Sequence, residues 1–454
     1  MLRNLTASFF YCQGIQRKYF SQEDNFVKKN EAHAVRKKFV VKYDERNRLD
    51  TVQTMGLEFL QMSRGVHFTA GNLQWNGRFF YFQGKGVPKM KKEGQVRIPS
   101  GCAIAAVIST EGKKISGGLV AEAMRPMHDR SNGLGGGFAG YGIYPDYKDY
   151  YALHMFFDER ATRKDCEAFL KERFEIVHAE VIPTRKIPAI TDEPIIWRYF
   201  VSPLKSQVAA MQVEEEEYVV RAVTRINTEL DGAYVFSSGK NMGTFKAVGF
   251  PEDVGIFYRL EEYEGYSWTA HGRYPTNTPG WWGGAHPFTL LDFSIVHNGE
   301  ISSYDANRRY IEMFGYKCNL QTDTEVITYI LDYLIRVQHL TLEEAASVIA
   351  APFWSTIDRK SDLTDKEKHI YLRTLYPSLL VTGPFSIVMG FNGGLMALND
   401  RLKLRSMVVG EKDDKVFIAS EEAAIRTMEP DAENIWAPSG GEPVVVRLKE
   451  GVQI

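Results

Sequence analysis

Residues 99–109 read Pro99-Ser100-Gly101-Cys102-Ala103-Ile104-Ala105-Ala106-Val107-Ile108-Ser109. The run from Cys102 is short and apolar, contains β-branched residues, and ends at the turn Glu111-Gly112. That pattern predicts a buried strand over 102–109. Cys102 then opens the strand. By default such a cysteine is a small core residue, because free cysteine is among the most buried types. The other reading is a nucleophile, since a cysteine thiol is already partly ionised near neutral pH.

Three more segments bear on that choice. Arg273 stands in Arg273-Tyr274-Pro275-Thr276-Asn277-Thr278, after a strand-like run at 266–273. Its guanidinium could grip a carboxylate through two parallel hydrogen bonds, or merely cap a strand end. Asn298-Gly299 follows another strand-like run at 290–297. Asn-Gly is an ordinary hairpin signal, yet no strand follows at once. Asp323 lies in Thr322-Asp323-Thr324-Glu325, at the start of a helix expected over 323–337. Thr322 and Glu325 have capping-box spacing, which leaves Asp323 to offset the helix dipole or to point elsewhere.

Taken together, these motifs resemble the class II glutamine amidotransferases, whose catalytic domains are N-terminal-nucleophile hydrolases. Within that group the chain looks most like the amidotransferase subunit of archaeal-type glutamate synthases. The resemblance covers about residues 96–454, is sparse over 155–250, and is absent from 1–95. It implies an α+β fold: a four-layer α/β/β/α sandwich of antiparallel sheets, with an α+β insertion at about 155–250. It also implies roles. Cys102 is the nucleophile. Asn298 and Gly299 form the oxyanion hole. Arg273, with Thr276 from its motif, and Asp323 hold the substrate's charged ends. Arg130, in Met127-His128-Asp129-Arg130, matches the family's His-Arg-Gly segment at the glutamine pocket. Free L-glutamine needs such a set: a nucleophile, oxyanion donors, a cation and an anion.

Two departures matter. The family's cysteine is the first residue of the mature chain, and its α-amine, with a pKa of about 7.7–8.0, serves as general base. Here 101 residues precede Cys102. Either the chain is cut between Gly101 and Cys102, or another group is the base, or the site is inactive. Ala103 also replaces a preferred glycine. The ammonia acceptor is expected on a separate synthase subunit, with a flavin-dependent one as the candidate. Three alternatives stand beside this: an amidotransferase for another acceptor, such as a methylamine–glutamate-forming complex; a glutamine-binding regulatory module without turnover; and a self-processing amide hydrolase, against which Arg273 and Asp323 argue.

Composition bounds the rest. The 454 residues are 44% hydrophobic and 25% charged with net charge −2, which gives no reason to expect a nucleic-acid or membrane partner. The four cysteines are scattered without CxxC, and the histidines show no HExxH, so neither a disulfide framework, a metal nor a cofactor is expected. A reducing compartment is favoured and a cytoplasmic location is the expectation, with an organellar presequence at 1–21 as the minor alternative.

Residues 1–95 read as an extension of unknown role, with a short helix at 51–62, a hairpin at 65–82 and a linker at 84–93. Helices are expected at 117–128, 162–175 and 214–230. Strands are expected at 233–237, 244–250, 255–259, 385–390, 394–398, 406–410, 415–419 and 443–447. The stretch Asn132–Gly142 reads as a glycine-rich loop. Its GxGxxG spacing at 135–140 is a weak nucleotide signal, because no helix clearly follows. His286, in Ala285-His286-Pro287-Phe288, reads as a loop-packing residue.

Overall fold

A computed structural model describes the strands Phe39–Tyr43 and Leu49–Thr54, and residues 101–275 and 280–453. The chain divides into two compact units, Met1–Gln95 and Val96–Ile454. In the first, Phe39–Tyr43 pairs antiparallel with Leu49–Thr54. Residues 51–54 are therefore strand rather than the expected helix, in keeping with β-branched Thr51, Val52 and Thr54. The rest of the expected 51–62 helix, the 65–82 hairpin, the linker and the presequence lie outside the described residues.

The second unit is built on two antiparallel sheets. One has seven strands, in the order Met242–Ala247, Gly136–Tyr141, Ser267–Gly272, Ala103–Ser109, Lys415–Ala419, Val408–Lys412, Glu433–Trp436. The other has five, in the order Phe288–Leu290, Phe293–Gly299, Phe385–Phe391, Gly394–Asn399, Val444–Arg447. Strand alternation sets the layers. From the central strand, Ile104, Ala106 and Ile108 enter the core between the sheets with Val296, Val388 and Leu395. Its other face sends Ala103, Ala105 and Val107 into a core shared with residues of helices Gly117–Glu122, Pro251–Phe257 and Glu422–Met428. On the far side of the five-stranded sheet, Ile295, Ile387 and Met389 pack with residues of Asp323–Asp332 and Leu342–Ile349. The result is the four-layer α/β/β/α sandwich.

The insertion is a four-stranded sheet, Phe174–Val181, Ile195–Pro203, Tyr151–Phe157 and Ala233–Ser237, with helices Arg160–Lys171 and Glu215–Glu229. It begins and ends earlier than expected, because Met242–Ala247 already belongs to the seven-stranded sheet.

Three expectations fail for tertiary reasons. Gly136–Tyr141 is a fully buried strand, not a loop. Its glycines are set by neighbours: a Cβ at Gly137 would stand 2.2 Å from the His286 carbonyl oxygen, and one at Gly140 would stand 2.6 Å from the Trp268 ring. Residues 255–257 finish the helix Pro251–Phe257, where Pro251 takes the first position and Glu252 and Asp253 the first turn. The helix expected over 117–128 stops at Glu122 and continues as a 3₁₀ segment, Arg125–Arg130, around Pro126.

Candidate active site

Register brings the motifs together. Gly272 pairs with Ala103 on one side and with Gly136 on the other. Cys102, Arg273 and the 131–135 turn therefore emerge at one end of the seven-stranded sheet. The turn holds Arg273's backbone: the Arg273 N–H donates to the Gly135 carbonyl (2.8 Å), and the Ser131 hydroxyl donates to the Arg273 carbonyl (3.0 Å). The sheets are also tied here, since His271 Nε2 donates to the His297 carbonyl at 2.8 Å. That fixes the end of the strand carrying Asn298 and Gly299.

A cavity of about 860 Å³ opens at this point, lined by Cys102, Arg273, Asn298, Gly299 and Asp323 among others. Its size suits a small-molecule site. The Tyr274 N–H donates to the Cys102 sulfur at 3.3 Å. Burial pushes the thiol up; the Tyr274 N–H and the Arg273 and Arg405 cations oppose it, while Asp323 adds to it. Burial lowers Arg273, against Cys102 and Asp323. Burial raises Asp323, but the nearby His297, the Ile301 N–H (3.0 Å) and the Thr324 hydroxyl (3.3 Å) outweigh it, so its carboxylate sits below the usual range. The Asn298 side chain is wholly buried, and neither amide atom has a hydrogen-bond partner among the described residues. An unsatisfied buried amide on a cavity wall points to a group that arrives with the ligand.

The remaining expectations divide. Arg130 is not on the cavity wall. Its Nε donates to the Cys102 carbonyl (3.3 Å) and its Nη1 to Glu421 (2.7 Å), behind the thiol. Thr276 lies outside the described residues. Thr322 accepts from the Thr324 N–H, but Glu325 turns away to accept from the Leu320 N–H at 2.9 Å, so no capping box forms. His286 does line the cavity, its ring tilted against that of His271 with centroids 4.0 Å apart, and burial holds both imidazoles far below their usual range. Neutral imidazoles of this kind suit packing. Sequence reasoning missed Arg405, His297, Tyr304 and Arg308, all on the cavity wall. Arg405 lies in the connection between the strands Gly394–Asn399 and Val408–Lys412.

Among the described residues no cluster of metal-ligating side chains occurs and Cys102, Cys166 and Cys318 are free thiols. No described helix is long and apolar enough to cross a membrane.

These features place one thiol, a buried amide, a guanidinium and a carboxylate on a single cavity of a four-layer sandwich. The family model for class-II glutamine amidotransferases matches residues 140–451, and the chain belongs to that family. A protein of uncharacterised function from Archaeoglobus fulgidus is 50% identical over 353 residues, which is 77% of this chain and 92% of that one. The amidophosphoribosyltransferase of Methanocaldococcus jannaschii is 26% identical over 219 residues, 47% of this chain and 40% of that protein. Among solved structures, the glutamine phosphoribosylpyrophosphate amidotransferase of B. subtilis aligns with 76% of this chain and 47% of its own, at 12% identity and a TM-score of 0.39.

Proposed function

We propose that this chain hydrolyses the side-chain amide of free L-glutamine and passes the ammonia to a synthase partner, in glutamate synthesis. The observation that carries this is the single cavity shared by the Cys102 sulfur, the buried Asn298 amide, Arg273 and Asp323. Arg273 takes the α-carboxylate and Asp323 the α-ammonium. The sulfur attacks the amide carbon, and the Asn298 Nδ2 and Gly299 N–H receive the oxyanion. The thiol proton passes through the base to the amide nitrogen, the C–N bond breaks to release ammonia and leave a thioester, and water resolves the thioester to glutamate and the free thiol. Arg130, bonded to the Cys102 carbonyl, positions the nucleophile. The acceptor subunit is proposed to be separate, with a flavin-dependent synthase as the candidate.

The thiol needs a base. Burial raises its pKa, and with Gly101 attached its own nitrogen is an amide. Cleavage between Gly101 and Cys102 would free an α-amine beside the sulfur. The same facts favour a second reading for an uncut chain, a glutamine-binding module without turnover. N-terminal sequencing paired with a glutaminase assay separates the two. A chain beginning at Cys102 that releases ammonia, and loses that activity in Cys102→Ala, supports the enzyme. An uncut chain that binds glutamine without turnover supports the module. Activity that survives Cys102→Ala rules out the mechanism.

A further inference from the structure

The mechanism requires the Asn298 amide to face the reacting carbonyl with nitrogen and not oxygen. Nothing yet described enforces that orientation, because neither amide atom has a partner among the described residues. A free amide can turn over and present its oxygen, which would repel the oxyanion.

One cation stands beside it. Arg405 lines the same cavity. Its Nε is buried and has no hydrogen-bond partner among the described residues. The loop that carries it is held by Asn399 Nδ2, which donates to the Arg405 carbonyl at 2.9 Å. Gly101 reports how close Arg405 and Asn298 come. A Cβ built on Gly101 would lie 2.9 Å from Asn298 Oδ1 and 3.0 Å from Arg405 Nη1. Asn298 Oδ1 and Arg405 Nη1 thus lie close to the same point beside Gly101. Gly101, at φ +97°, has no side chain to crowd either group there.

We infer that Arg405 is the positioning residue of the oxyanion hole: its guanidinium faces Asn298 Oδ1 and so turns Asn298 Nδ2 toward the substrate carbonyl. The chemistry is one-sided. A guanidinium has only donors, so it accepts no amide nitrogen and selects the oxygen. This inference rests on the glutaminase reading above and adds to it a residue that reaches the substrate only through Asn298.

The test is steady-state glutaminase kinetics, across pH, on wild type, Arg405→Met and Arg405→Lys, each as purified from the full chain, with thermal unfolding midpoints as a folding control. Arg405→Met is expected to lower kcat about 30- to 100-fold, approaching the loss of one oxyanion donor, with KM within about twofold. Arg405→Lys, which keeps a donor, is expected to recover to within about tenfold of wild type. The pH at which activity rises should stay in place. A rise in that pH with Arg405→Met, with kcat recovering at high pH, would make Arg405 merely a charge that lowers the thiol pKa and would overturn the inference. So would unchanged kcat, or no recovery with Arg405→Lys at an unchanged unfolding midpoint. A wild type that turns over no glutamine would instead overturn the reading on which the inference stands.

Discussion

Two acids stand two residues apart on one helix, and the structure treats them in opposite ways. Asp323 faces the cavity with Arg273 on the same wall. It accepts hydrogen bonds from Ile301 and Thr324, has His297 Nδ1 3.4 Å away, and is held anionic below its usual range. Glu325 is buried behind it, and burial raises its carboxyl to about 7. Its nearby base is Lys246, wholly buried, whose ammonium burial lowers to about 7. Lys246 donates to the carbonyls of Gly283 (2.9 Å) and Pro287 (3.4 Å), the returning limb of the segment that carries Arg273. The difference teaches where charge is kept. A carboxylate ringed by donors stays charged and awaits a cation. Glu325 also accepts from the Leu320 N–H and the Tyr329 hydroxyl, but there burial outweighs the donors, and its carboxyl drifts toward neutrality.

Removing the outer pair should hurt catalysis and spare stability. Arg273→Met is expected to lower kcat/KM by about 10³-fold, the loss of a desolvated charge-assisted pair, with the unfolding midpoint nearly unchanged. Initial-rate measurements check this, and a loss under tenfold would place the substrate carboxylate elsewhere. Asp323→Asn is expected to cost about 10²-fold, chiefly in KM, because the amide cannot neutralise an ammonium.

Removing the inner pair should do the reverse. Between about pH 4.5 and 7 the folded state binds more protons at Glu325 than the unfolded state does, so stability falls as pH rises through that window. Glu325→Gln is expected to flatten that fall, by an amount on the order of 3 kcal/mol, leaving KM for glutamine within about twofold. Denaturant melts at several pH values read this directly. Lys246 acts with the other sign: between about pH 7 and 10.5 the unfolded state holds the extra proton, so stability rises with pH, and Lys246→Met should remove that rise. Smallest of all, Cys166→Ala is expected to leave kcat/KM within about twofold, since that thiol lies in the core beside the insertion sheet.

The comparison also marks what could be read from sequence. Cys102, Arg273, Asn298, Gly299 and Asp323 each sit at the end of an element whose local pattern is plain, and strand register then gathers them. Glu325 was legible only as a helix cap, because the charge that faces it, Lys246, comes from the distant strand Met242–Ala247. Gly136–Tyr141 was illegible as a strand, because its glycines answer to Trp268 and His286, which are distant in sequence. Arg405 carries no local signal at all; only the folding of its loop back to Gly101 brings it to the site. Arg130 was found by motif, but its place behind the thiol depends on Glu421, 291 residues away.

The central claim is tested most directly by labelling. Purified protein is treated with a glutamine analogue that carries an electrophilic carbon in place of the side-chain amide, and the modified peptide is located by mass spectrometry. The expected result is one adduct per chain, on the Cys102 sulfur, blocked by excess glutamine and greatly slowed in Arg273→Met. An unmodified Cys102, or an adduct on Cys166 or Cys318 that glutamine does not block, would contradict it.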